Sequence, residues 1–172
     1  MHRNAKRGFT LIEIIGVMII ISILTIAAGY TATKAVQRSR IDATAADLQV
    51  FASDMEAVLE DIGVVELDPS DSLELRKSKI NEYLSIIEQD YLHATFARET
   101  LVVSDSGFKV STYELMDPWN SKYTLIYNTD AAKGTPGTCI FASPGPNLNL
   151  EDTGYSSGDF QDDILVIVTP KH

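Results

Sequence analysis

Residues 8–13, Gly8-Phe9-Thr10-Leu11-Ile12-Glu13, open a long apolar stretch that holds one acid near its start. From Ile14 to Thr33 twenty residues follow without a charge. At about 1.5 Å per residue that is roughly 30 Å of helix, enough to cross the hydrocarbon core of a bilayer. A carboxylate beside hydrocarbon costs on the order of a few kcal/mol, so Glu13 is expected to face a partner and not lipid. Arg3, Lys6 and Arg7 precede the stretch. This basic flank places the N-terminus in the cytoplasm and the rest of the chain outside.

Two ordinary explanations fit less well. A secretory signal peptide has a shorter apolar core without an acid, and it ends in a small-residue cleavage site. A generic single-pass anchor matches the length but leaves Glu13 and the string before it unexplained. The string Gly8-Phe9-Thr10-Leu11-Ile12-Glu13-Ile14-Ile15 resembles the class III signal of type IV pilins and of the pseudopilins of type II secretion. The resemblance implies that a prepilin peptidase cuts between Gly8 and Phe9 and that the new N-terminus, Phe9, is N-methylated. It also implies that Glu13 meets the methylated amine of Phe9 on a neighbouring subunit during assembly. An apolar residue in its place could then stack in the wrong register.

The helical pattern continues past the membrane span. Ile41, Ala45, Leu48, Ala52, Met55, Leu59 and Ile62 recur at steps of four and three, an amphipathic stripe. Polar residues such as Asp42, Asp47, Gln49 and Glu56 lie mostly between them, and Gly63 is a plausible stop. A helix from Phe9 to about Ile62 would be on the order of 80 Å long. Its first half is expected to project, and its second half to lie on a globular domain. A coiled coil is the other reading of the stripe, but the stripe is short and alanine-rich, which favours packing on a sheet.

Beyond this helix, Asp68 to Ser72 reads as a turn and N-cap, and Ile80, Leu84, Ile87 and Leu92 suggest a short helix over roughly Lys79 to Tyr91. The rest reads as sheet. Thr100 to Val103 and Phe108 to Tyr113 flank the hairpin signal Ser104-Asp105-Ser106-Gly107. Tyr123 to Tyr127, Thr138 to Phe141 and Ile164 to Thr169 are further strands, and Pro144 to Asp163 is a long polar loop. The expected fold class is α+β: a long N-terminal helix, transmembrane in one half and amphipathic in the other, packed on a small antiparallel sheet in a pilin-like arrangement. The expected divisions are a prepilin leader at 1–8, a transmembrane and assembly helix at 9–33, the amphipathic half at 34–63 and a head at 64–172.

Two later segments extend the resemblance. Asp117-Pro118-Trp119-Asn120-Ser121-Lys122-Tyr123 is similar to the Asp-Pro-Trp-Gly-x-x-Tyr signature of the major pseudopilin, with Asn120 in place of glycine. Asparagine tolerates the left-handed conformation, so the turn is expected to survive. Trp119 reads as a core or strand-edge aromatic. Ile140 to Asn147, followed by Asp162-Asp163-Ile164, is similar to the C-terminal calcium loop of that family. The resemblance puts Ca²⁺ ligands at Asp162, Asp163, Asn147 and the carbonyl of Pro144. Asn147 stands where an aspartate is common, and Asp152 or Asp159 is a candidate for the missing charge. Oxygen donors suit a hard cation; an acidic solvated loop without metal is the other reading.

Composition narrows the function. Across 172 residues the formal charge is −10, and removal of Arg3, Lys6 and Arg7 with the leader takes it to −13. So acidic a surface argues against general electrostatic binding of nucleic acid. Cys139 is the only cysteine, so no disulfide can form within the chain, and it reads as a small buried hydrophobe. His2, His93 and His172 are scattered, and no triad, phosphate loop or cysteine–histidine spacing is present. The expected function is assembly, not catalysis. The resemblance implies a homopolymer, with minor pilins or pseudopilins, the prepilin peptidase and an inner-membrane assembly platform as partners. It implies that the chain sits in the cytoplasmic (inner) membrane before assembly, with the head periplasmic or extracellular. The product is a type IV pilus-like fibre or a secretion pseudopilus. The alternative is a membrane-anchored binding protein that does not polymerise.

Overall fold

The computed structural model describes residues 9–92, 94–148, 150 and 163–170. The chain divides into two units, Met1–Ser39 and Arg40–His172. Helix α1 (Leu11–Asp61) is continuous in sequence across that division. Among the described residues it is the one helix long and apolar enough to cross a membrane.

In the first unit the helix is apolar and exposed. Leu11, Ile12, Ile20, Leu24 and Ile26 all lie open. Its hydroxyls are satisfied by its own backbone: Ser22 Oγ donates to the Met18 carbonyl at 2.7 Å and Thr25 Oγ1 to that of Ile21 at 2.8 Å. A polar side chain bonded in this way is cheap to place in lipid, where every polar group needs an internal partner.

In the second unit α1 has a buried side made of Thr44, Leu48, Phe51, Met55 and Val58, again at steps of four and three. This corrects the expected stripe. Leu48 and Met55 are buried as expected, Ala52 and Leu59 are partly buried, and Ala45, Ile41 and Ile62 are exposed. The buried face is turned toward the neighbouring large side chains. The ring of Phe51 meets Tyr123 edge-on at 5.2 Å and Phe141 at 5.4 Å, contacts an alanine cannot make. Burying each such side chain contributes about 1.5–3 kcal/mol.

The sheet is a five-stranded antiparallel meander in sequence order: β1 (Val102–Ser104), β2 (Gly107–Met116), β3 (Lys122–Asn128), β4 (Cys139–Ser143) and β5 (Ile164–Val168). All five strands overlap the expected runs, with β1 starting two residues after Thr100 and β2 running three residues past Tyr113. Gly107 closes the β1–β2 turn at φ +141°, and a Cβ there would lie 1.9 Å from the Tyr127 carbonyl oxygen, so only glycine fits. On the core face Tyr123, Leu125 and Tyr127 of β3 join Phe141 of β4 and Phe108 and Val110 of β2. The phenol of Tyr127 accepts a bond from the Val65 amide at 2.8 Å, which pins the segment leaving α1.

Helix α2 (Leu73–Ile86) starts six residues before the expected Lys79. Ser72 caps it, accepting from the Leu75 amide at 3.2 Å. A π-helical turn, Ile87–Tyr91, ends it. Ile80, Tyr83, Leu84 and Ile87 close the core. Cys139 is buried in that core, and burial pushes its thiol pKa up, so it stays a neutral hydrophobe.

Candidate assembly site

The start of α1 is built by a reciprocal cap. Thr10 Oγ1 lies 3.4 Å from the Glu13 amide, and Glu13 Oε2 accepts from the Thr10 amide at 2.7 Å and from its hydroxyl at 2.9 Å. This is a capping box: side chains three residues apart satisfy amides that a helix start leaves open. Thr-x-x-Glu is legible in the sequence as such a signal, but reading Glu13 for assembly alone passes over it. The cap holds the carboxylate against the residue next to Phe9. Phe9 is itself 83% exposed. The acid and the expected new N-terminus thus lie at one end of an exposed apolar segment. Gly8 lies outside the described residues.

The sequence ahead of and through this segment decides the family signature. Residues 3–29 match the family model of the prokaryotic N-terminal methylation motif. The chain carries the type IV pilin and pseudopilin signature. No curated protein and no solved structure matches the chain. Proteins with this pilin-type motif are structural subunits. The prepilin motif implies processing by a prepilin peptidase and assembly into pili. With the apolar helix behind it, the motif points to a membrane-anchored single-pass pilin-like protein whose head lies outside.

The pilin-like head has a second organised site, at the turn between β2 and β3. Asp117 is buried. Its Oδ1 accepts from the amides of Trp119 at 3.0 Å and Ser121 at 2.8 Å, and its Oδ2 accepts from the Ser143 hydroxyl at 2.6 Å. Asn120 takes φ +66°, the left-handed conformation expected where the related signature has glycine. Ser143 Oγ in turn accepts from the Gly145 amide at 3.2 Å. Asp117 therefore ties the Asp-Pro-Trp-Asn turn to the start of the segment after β4. Nothing in the sequence links Ser143 to Asp117; the pairing of β3 with β4 brings them together. Trp119 is half-buried.

The expected calcium donors lie beyond that point. Ser143 pairs with Ile164, so Pro144 leaves β4 and Asp163 enters β5 at the same end of the sheet. Pro144 is buried and caps a 3₁₀ turn, Gly145–Asn147, on which Asn147 is exposed. Asp162 lies outside the described residues, as do Asp152 and Asp159. Among the described residues no three His, Cys, Asp or Glu side chains come together as a metal site.

Proposed function

We propose that this protein is a structural subunit that polymerises through its N-terminal helix into a type IV pilus-like or type II secretion pseudopilus filament. The observation that carries this is a lone acid, Glu13, held beside Phe9 at the head of an exposed, otherwise uncharged helix segment. Cleavage between Gly8 and Phe9 frees an amine at the membrane face, and methylation leaves that amine a cation. In an apolar filament core an unpaired carboxylate and an unpaired ammonium are each costly, so pairing Glu13 with Phe9 of a neighbour sets the stacking register. The cytoplasmic membrane, prepilin peptidase, assembly platform and minor subunits are its partners in this reading, and it has no catalytic role. The Asp117 turn supports a pseudopilin-like head. Ca²⁺ held by Asp162, Asp163, Asn147 and the Pro144 carbonyl belongs to this proposal; its support is the oxygen-donor chemistry and the pairing of Ser143 with Ile164, the chain neighbours of Pro144 and Asp163.

N-terminal mass analysis of the mature protein should give methylated Phe9 as its first residue; a start elsewhere sinks the assignment. Glu13→Val should still insert in the membrane but yield few ordered filaments. Normal filament number and order from that variant removes Glu13 from the mechanism.

A further inference from the structure

Besides the side that closes the core, α2 presents a second one. Leu75, Lys79, Glu82 and Ile86 recur at steps of four, three and four, so they lie together. Leu75 is 47% exposed, Glu82 is exposed, and Lys79 and Ile86 are half-buried. The segment leaving α1 borders this side through Ile62, Val65 and Glu66 and encloses with it a groove of about 330 Å³. Its two walls are fastened together. Tyr83 donates its hydroxyl to the Gly63 carbonyl at 3.2 Å. Lys79 Nζ donates to the Glu66 carbonyl at 3.4 Å and to Asp71 Oδ2 at 2.7 Å. The groove is therefore formed before anything enters it.

The charges of the groove do not balance. Lys79 is neutralised by Asp71. Among the described residues the other ion pairs are Arg76–Asp105 and Arg98–Glu88, so Glu66 and Glu82 have no cation. Neighbouring bases do not compensate them. Arg76 is held by Asp105, and Lys77 precedes Ile86 by nine residues, half a revolution round the helix. Asp61 and Asp68, next in the chain to the groove, add negative charge; one accepts from the Tyr91 hydroxyl and the other from the Ser70 amide. The groove thus joins an apolar floor to two acids without a counter-charge, one on each wall. Ile62, at 40% exposure, carries that floor out to the surface.

We propose that this groove docks another protein, through a segment that presents an arginine between two apolar residues. Charge complementarity names the cation. The apolar floor covers the aliphatic stem of such a side chain while its charged head stays at the rim with Glu66 and Glu82. A guanidinium carries a fork of donors that serves an acid on each wall, which a compact ammonium does less well. Length names the rest of the occupant. From Leu75 to Ile86 the strip runs eleven residues, roughly 16 Å, longer than one side chain, so it fits a polypeptide and not a free cation. In an extended segment residues i, i+2 and i+4 point to one face and span about 13 Å. That spacing sets an apolar residue near Leu75, the arginine between the acids and a second apolar residue near Ile86. The contact gives the head a partner and does not depend on how α1 assembles.

The test uses the full chain in detergent micelles, with isoleucine, leucine and valine methyls labelled for NMR. The probe is the peptide acetyl-Leu-Ser-Arg-Ser-Leu-amide. It should shift the methyls of Ile62, Val65 and Ile86 saturably. Glu66→Gln with Glu82→Gln should weaken binding about tenfold, because charge-assisted bonds are lost. Both acids are exposed, so the melting temperature should not change. Leu75→Ser should weaken binding by a smaller factor. No saturable shift at these methyls, or equal binding by the glutamine variant, overturns the proposal. Equal binding of the same peptide with glutamate in place of arginine overturns it as well, since apolar contact alone would explain both. Arginine amide that binds as tightly as the peptide makes the groove a small-cation site and not a docking surface. The same shifts on concentrating the chain alone assign the groove to a second copy and overturn the foreign partner.

Discussion

The two units of this chain use apolar residues in opposite ways. In the segment up to Ser39 leucines and isoleucines are exposed on every side of α1. From Arg40 onward the large apolar side chains gather into one core, with Leu48, Met55, Ile80, Leu125 and Phe141 fully or almost fully buried. The head hides most of its largest apolar side chains within its own chain. The apolar side chains of the N-terminal segment lie open instead. An exposed apolar surface of this extent in a folded protein marks an interaction site. The same residue type therefore stabilises a fold in one unit and presents an interaction surface in the other.

The largest expected effect tests this division directly. Phe141→Ala in a head beginning at Thr33 should cost about 3–5 kcal/mol, because a large cavity opens against Phe51. Leu24→Ala in the full chain should leave the head's melting temperature unchanged and act only on insertion or assembly. Thermal unfolding of the head followed by circular dichroism checks both. A head that loses stability with Leu24→Ala breaks the comparison.

Next comes the Asp117 knot. Asp117→Ala leaves two amides and the Ser143 hydroxyl without their acceptor, and each unmet buried group costs about 1–3 kcal/mol. Urea unfolding should show a loss of at least about 2 kcal/mol, and amide exchange should quicken at both Trp119 and Gly145. Exchange that changes only at Trp119 would mean that the turn and the segment after β4 are not coupled through Asp117.

A comparable but conditional effect concerns calcium. If the proposed donors bind it in the folded state, the head gains RT ln(1 + [L]/Kd), about 2.7 kcal/mol at a hundredfold excess over Kd. The head should melt higher in Ca²⁺ than in chelator, and Asp162→Ala should erase the difference. Equal melting temperatures in both conditions remove the metal from the proposal.

The smallest effect is at Asn120. Its φ of +66° suits glycine at least as well, so Asn120→Gly should be within a few tenths of a kcal/mol of neutral. Asn120→Ala should cost about 1–2 kcal/mol for the left-handed conformation. Differential scanning calorimetry resolves the two; an alanine as stable as the glycine would show that the turn is not held in that conformation in solution.

Much of this was legible from the amino-acid order. A membrane-length run with one acid needs no tertiary context, because its length, charge and leader are local properties. The five strands follow from alternation and from turn residues such as Gly107, whose conformation is a property of the residue itself. The N-cap of α2 was legible within Asp68 to Ser72, but the apolar pattern places the helix from Lys79, because its first turn, Leu73 and Leu75, is exposed and carries no apolar period.

Helical periodicity by itself determined that α1 has an apolar side near Leu48 and Met55, and the string from Gly8 to Ile15 carried the resemblance to the pilin signature. The tertiary structure decided which neighbours share that side. Position 45 or 52 and position 51 or 58 are equally compatible with a period of 3.6, and both sets contain apolar residues. Phe51 is buried because the sheet offers Tyr123 and Phe141 at the facing positions, while Ala45 has too little surface to compete. In the same way a carboxylate at Asp117 predicts a turn, but its bond to Ser143 exists only because β3 and β4 pair. Local pattern states what each segment can form; packing selects among faces that the pattern leaves nearly equal.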